Sequence, residues 1–420
     1  MTKQIEVYAD WIGLNGPEHI GRLTAQSIRG REIFSFSYRP EWLEVAGALV
    51  LDPDLQLFTG AQYVRDEKPN FGLFTDSAPD RWGRVLMQRR EALLAKKEER
   101  RPRTLMESDY LLGVFDAYRL GALRFKLDKD GPFLDDQATM AAPPMTALRT
   151  LEEASLHLEQ ENAADDPAFG VWLNQLLSPG ASLGGARPKA SVIDPEGRLW
   201  IAKFPSGGDD RDIGGWEAVV NELALRAGLN VAQGQAKRLT LQHHTFLTRR
   251  FDRDGNWRIH FASAMTLLGR TDGADAATSS YLELAECIAR VGARTNSDLE
   301  ELWRRIVFNI CISNADDHLR NHGFLLTSKG WVLSPAYDLN PVPDAQGLTL
   351  NIDGTNNALD MELAGSVAPQ FRVKSERSKQ IIQEVTKAVN GWSALAAKMG
   401  IPRAERERVG VAFDKVSNRS

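Results

Sequence analysis

The sequence predicts an α+β protein in two lobes, a mixed β-rich N-terminal lobe and an all-α C-terminal lobe. Three observations lead there. Strand-like runs concentrate before residue 251, helical periodicity concentrates after residue 278, and 420 residues is long for a single core. Hydrophobic residues make up 43% and charged residues 25%, the balance of a chain that folds over most of its length. The boundaries fall at 1–125, a small β-sheet plus helices; 126–255, the remainder of the N-lobe; and 256–420, the helical C-lobe.

Within the first lobe, apolar runs at 5–9, 33–38 and 48–51 alternate with turn residues such as Leu14-Asn15-Gly16-Pro17, which reads as a small, mostly antiparallel sheet. Residues 80–97 turn helical through Trp82, Val85, Leu86, Leu93 and Leu94. The charge run 96–103 reads as a solvated helix end, with a nucleic-acid or partner contact as the other reading. Helices are expected over 146–161, 168–177 and 212–228, the last closed by Gly228, and paired strands over 231–251. Further on, 279–292 and 298–313 are helical, 332–343 is a strand running into a loop, and 376–399 and 402–416 are C-terminal helices.

Several function classes are disfavoured. The two cysteines, Cys287 and Cys311, form no CxxC pair, so zinc and dithiol redox chemistry lack a ligand pattern. The start, MTKQIEVYADWIG, has no basic stretch leading an apolar run, and no segment approaches the roughly 18 apolar residues of a membrane span. The cytoplasm is the expected location, with no membrane contact. A net charge of −5 and a pI of about 5.9 speak against a free nucleic-acid binder, so DNA contact would need a local patch or a basic partner.

The chemistry lies in five places. Residues 178–189 are glycine-rich and read either as a plain loop or as a nest of backbone N–H groups for phosphate oxygens. The GxxxxGK[ST] pattern is absent. Next, Leu199-Trp200-Ile201-Ala202-Lys203-Phe204-Pro205 is an apolar strand with one lysine. Lys203 either snorkels to solvent or, as on a kinase strand, meets nucleotide phosphates with a helix glutamate as partner, for which Glu217 is placed. Asp316 and Asn321 then show the Asp-x-x-x-x-Asn spacing of a kinase catalytic loop, between two apolar runs. Asp338 follows a further apolar run, in the place of the kinase DFG aspartate that binds magnesium, although Asp338-Leu339-Asn340 is not DFG. Each acid alone could instead organise a turn. The series in this order has no such plain reading. His318 and His322 stand four apart, but without HExxH or a third ligand a structural or nucleotide-contacting role is favoured over a zinc pair.

Five stretches, SLGGARPK (182–189), IAKFP (201–205), NADDHLRNHGF (314–324), SPAYDLNP (334–341) and NFGLFTDSAPDRWGR (70–84), resemble the HipA family of serine/threonine kinases, toxins of type II toxin–antitoxin pairs. The resemblance implies a two-lobed protein-kinase-like fold, with 1–125 as the family's N-terminal subdomain. It implies Asp316 as proton acceptor, Asn321 and Asp338 as Mg2+ ligands, and ATP as co-substrate. Lys203 would contact the phosphates, and Gly184, Gly185, Ala186, Arg187 and Lys189 would shape the phosphate loop. Backbone groups of Arg249 and Phe251 would meet adenine, His318 and Tyr337 would flank the nucleotide, and Glu217 would support Lys203. Position 249 is acidic in some relatives. Ser182 falls where family members autophosphorylate, and a phosphate there should expel the nucleotide by like charge. The implied partners are a small HipB-like helix-turn-helix antitoxin, which supplies DNA contact, and a protein substrate in translation, such as an aminoacyl-tRNA synthetase. The alternative is a catalytically weak, antitoxin-bound transcriptional corepressor.

Overall fold

The structure is a computed structural model that describes residues 2–44, 50–65, 68–79, 81–134, 142–177, 185–240, 243–271 and 278–417. The chain forms two compact units, Met1–Gly208 with Arg249–Ala262, and Asp209–Thr248 with Ser263–Ser420.

In the first unit, β1 (Thr2–Ala9), β2 (Glu18–Ile28), β3 (Arg31–Tyr38), β4 (Gln62–Tyr63) and β5 (Leu123–Lys126) form an antiparallel sheet in the order β4-β3-β2-β1-β5. Alternation drives its burial: Ile5, Val7, Phe34 and Phe36 are inaccessible to solvent, and the rings of Phe74 and Phe125 pack onto the same apolar layer. The β2–β3 turn places Arg29 and Gly30 at φ 50° and 81°, the left-handed pair that a tight two-residue hairpin needs. The expected strand at 48–51 is not found: Val50 and Leu51 lie in no strand, and 45–49 fall outside the described residues.

Helices Arg81–Lys97, Leu148–Leu158 and Phe169–Leu177 follow, the second two residues shorter at its start than its apolar pattern suggests because Met145–Ala147 is a 3-10 turn. Then β6 (Lys189–Ile193) and β7 (Leu199–Lys203) form an antiparallel hairpin. Asp194 organises its turn, accepting hydrogen bonds from the amides of Glu196 and Arg198 and from Trp200 Nε1. Trp82 Nε1 donates to the carbonyl of Lys189 at 3.1 Å, which fixes the start of β6 to the first long helix.

The second unit opens with helix Ile213–Arg226. Asp212 caps it by accepting from Gly215 N, and Gly228 at φ 78° ends it. The strands β8 (Gly234–Arg238) and β9 (His244–Arg249) pair antiparallel. Helix Tyr281–Val291 begins with a reciprocal cap between Ser280 and Glu283. Helix Thr295–Ile312 is buried from Leu302 to its end. A hairpin of Gly323–Thr327 and Gly330–Leu333 follows. The region after residue 256 is therefore mostly but not wholly helical. The all-α expectation is corrected because Gly330 at φ 124° folds two apolar runs onto each other rather than into a helix. The single helix expected over 376–399 is two, Ser375–Val389 and Trp392–Lys398, broken at Asn390-Gly391. The last helix is Arg403–Ser417.

Candidate active site

Helix Thr295–Ile312 ends on Ser313 in the left-handed region at φ 53°, which turns the chain sharply into residues 314–318. Ser313 Oγ donates to Ala412 O at 2.7 Å, holding that turn against the last helix. Asp316 projects to solvent while its own carbonyl is gripped twice, by His318 N at 3.1 Å and by Asn321 Nδ2 at 2.8 Å. Asn321 is only 4% exposed. Its NH2 group is occupied by that bond, and its buried Oδ1 finds no partner among the described residues. A buried carbonyl-type oxygen without a donor is costly, and this one is open to a donor or cation from a bound ligand.

Asp338 comes from the stretch after Gly330–Leu333. Arg305 Nη2 donates to Ser334 O at 2.7 Å, and Ala336 exchanges backbone hydrogen bonds with Asn230 and Ala232. These bonds clamp Ser334 and Ala336, four and two residues before Asp338, which itself sits at φ 58°. A β-carbon there costs of order 1 kcal/mol or more, and such strain persists where surrounding structure enforces it. Tyr337 Oη donates to Arg320 O at 2.7 Å, tying this stretch to the Asp316 loop.

The two aspartates sense each other. Partial desolvation raises the Asp316 carboxyl above its usual value, the charge of His318 pulls it down, and the carboxylates of Asp338 and Asp317 push it up again. Glu217, 5% exposed on helix Ile213–Arg226, joins Asp338, Tyr337, Asn221 and Thr248 around a small cavity within the second unit.

In the first unit, Lys189 and Lys203 are cross-strand partners. Phe204 N donates to Pro188 O, so the neighbouring 189/203 pair is of the non-hydrogen-bonded type, in which side chains approach closest. Lys189 is 2% exposed, and its Nζ donates to Gly185 O at 3.1 Å. Gly185 takes φ 86°, and Arg187 Nη2 donates to Phe204 O at 3.3 Å. Ala186 is exposed beside them. The Arg250 amide donates to Leu199 O, and its side chain is fixed by Asp252 and two carbonyls, leaving Arg249 and Phe251 half-buried on either side. Gly184 and Ser182 lie outside the described residues.

The predicted residues thus gather in two groups: Gly185, Ala186, Arg187, Lys189, Lys203, Arg249 and Phe251 belong to the first unit, and Glu217, Asp316, His318, Asn321, Tyr337 and Asp338 to the second. His318 and His322 do not form a metal pair on one helix. A 3-10 turn, Leu319–Asn321, separates them, and His322 binds Asp317 instead. That contact belongs to a buried cluster of Tyr281, Asn309, Asp317 and His322, which sequence reasoning missed because three of its members lie outside the Asp-x-x-x-x-Asn frame. Among the described residues, no group of three or more His, Cys, Asp or Glu side chains could hold a metal ion. One carboxylate, from Asp338, and one amide oxygen, from Asn321, are the donors that would suit magnesium, which takes few protein ligands and completes its shell with phosphate and water.

The fold and this loop pair define a HipA-like α+β protein. The chain matches the HipA-like C-terminal domain over residues 181–392, and it belongs to that family. A Sinorhizobium fredii protein named "Putative kinase Y4mE" is 30% identical over 182 residues, 38% of this chain and 41% of that one. The matched part thus spans about two fifths of that relative's length. The HipA of Shewanella oneidensis MR-1, solved in a complex with HipB and its operator DNA, has the same fold at a TM-score of 0.65 and 16% identity, covering 97% of this chain and 95% of that one. Among the described residues no helix is long and apolar enough to cross a membrane.

Proposed function

We propose that the chain is an ATP- and Mg2+-dependent serine/threonine protein kinase acting in the cytoplasm as the toxin of a toxin–antitoxin pair. The observation that carries this reading is the pairing of two mutually perturbing carboxylates, Asp316 and Asp338, with the orphaned Oδ1 of Asn321 in the same loop pair. Carboxylate and amide oxygens in neighbouring loops are the donor type that a hard cation takes. Bound through Asn321 and Asp338, Mg2+ would neutralise charge on the ATP phosphates. Asp316 stands free at the surface to take the proton of a substrate hydroxyl as its oxygen bonds to the γ-phosphorus and the bond to ADP breaks. The raised Asp316 pKa, from partial desolvation and the charge of Asp338, makes its carboxylate a stronger base than an ordinary one. The Lys189–Lys203 pair and the Gly185 turn supply cationic and backbone donors of the kind that hold phosphates.

The substrate class is a protein of the translation apparatus, with Ser182 as the site of self-modification that turns the enzyme off. Family membership and the likeness to the Shewanella protein support a small helix-turn-helix antitoxin as partner, with DNA contact made through it. Expression in a bacterial host tests the reading: the wild-type chain should arrest growth, D316A should not, and co-expression of the antitoxin should restore growth. Equal arrest by D316A would remove phosphotransfer from the account.

A further inference from the structure

The Asp316 loop carries a second aspartate whose role differs entirely from that of the first. Asp317 is 2% exposed where Asp316 faces solvent. Three donors converge on one of its oxygens, Oδ2: Asn309 Nδ2 at 2.8 Å, His322 Nε2 at 3.0 Å, and the hydroxyl of Tyr281. The donors come from three supports. Asn309 sits on the buried last turn of helix Thr295–Ile312, Tyr281 opens helix Tyr281–Val291, and His322 leads into strand Gly323–Thr327. Asn309 also accepts from Asn314 Nδ2 at 3.1 Å, so the same helix turn holds the loop's first residue. The His322 carbonyl accepts from Ala264 N at 2.8 Å, fixing the loop's far end. Burial alone would push the Asp317 carboxyl up, yet the charge of His322 and the bonds from His322 and Tyr281 hold it below its usual value, so it is a carboxylate in the folded protein.

We propose that Asp317 is a positioning residue, which locks residues 314–322 so that the Asp316 carboxylate and the Asn321 amide oxygen keep one fixed separation. The inference deepens the kinase reading and rests on it for the kinetic consequence, but the locking itself is a property of the fold. A short loop between a helix and a strand has its own backbone freedom, and a misplacement near 1 Å at the reacting atoms costs about 100-fold in rate. A fully buried carboxylate with three donors supplies the constraint that loop glycines and turns do not.

Two substitutions test it in the full-length chain. D317N keeps the shape but presents an NH2 group to a cluster of donors. Y281F removes one donor and leaves the other two. Hydrogen exchange read by mass spectrometry on peptides covering 314–322 should accelerate at least tenfold in D317N and less in Y281F, while helix Thr295–Ile312 keeps its protection. In phosphotransfer, D317N should lower kcat about 100-fold with KM for ATP changed only a few-fold, and Y281F should fall between it and wild type. Unchanged exchange in the loop, or a fall in melting temperature with kcat retained, overturns the proposal. A wild-type chain that transfers no phosphate sinks the kinase reading instead, and the exchange result still decides the role of Asp317.

Discussion

Lys189 and Lys203 stand directly opposite each other at the open end of the β6–β7 hairpin, on one face, one fully and one half buried. Like charges opposite one another in a non-hydrogen-bonded pair are destabilising by a few tenths of a kcal/mol to about 1 kcal/mol. In the proposed kinase the pair lies where the phosphates of ATP would meet it.

Replacing either lysine should therefore separate stability from ligand binding. K189M and K203M should each abolish most of the rise in melting temperature that Mg-ATP gives the wild type, while the nucleotide-free midpoint moves by a few degrees at most. Thermal unfolding with and without Mg-ATP measures both. A full ATP-induced shift in both variants would detach the pair from phosphate binding.

The last helix supports the start of the helix that carries Glu217. Glu405 Oε1 accepts from Asp212 N at 2.9 Å and from Trp216 Nε1 at 2.8 Å, and Trp216 is 1% exposed. E405A strands two donors, one of them on a fully buried indole, and should cost about 2 kcal/mol, whereas E405Q keeps an acceptor and should cost about 1 kcal/mol or less. Urea denaturation reads the difference. Equal stability of E405A and wild type would show that the contact carries no energy.

Much of the second unit could be read from residue order. Helix Ile213–Arg226 was legible with its closing Gly228, because caps act within one turn of chain, and helix Tyr281–Val291 through its helical periodicity. The Asp316 loop was legible for the same reason: six residues hold both its acid and its amide. Other features depended on distant partners. Asp317 looks like Asp316 in sequence, and Tyr281, 36 positions away, the buried Asn309 and His322 decide which of the two faces inward. The φ of 58° at Asp338 was invisible because no glycine marks it; the backbone bonds of Ala336 to Asn230 and Ala232 impose it. Strand β2 escaped notice because Glu18–Ile28 mixes polar residues into its apolar face, and β1 and β3 on its two sides supply the order.

Asp52 in the first unit gives a pH test of stability. It is 1% exposed, accepts from Asp54 N at 2.9 Å and Leu73 N at 2.8 Å, and burial pushes its pKa up to about 6. A folded-state value above the unfolded one, about 4, means that the folded protein holds the proton more tightly. Its contribution to stability is therefore greatest below about pH 4, falls as pH rises to about 6, and is flat above. The stability of wild type minus that of D52N, from denaturation at several pH values, should shrink across that window. A gap that is constant from pH 4 to pH 7 would contradict the assignment.

In the proposed kinase, Asp316, Asn321 and Asp338 together serve transfer of phosphate from ATP to protein hydroxyls. Purified wild-type chain and D316N, each incubated with γ-labelled ATP, Mg2+ and bacterial lysate, followed by mass spectrometry of labelled proteins, test it most directly. The wild type should place label on serine or threonine of a protein, dependent on Mg2+, and D316N should lose at least 100-fold. Label that survives D316N undiminished, or that appears only on small molecules, would contradict it.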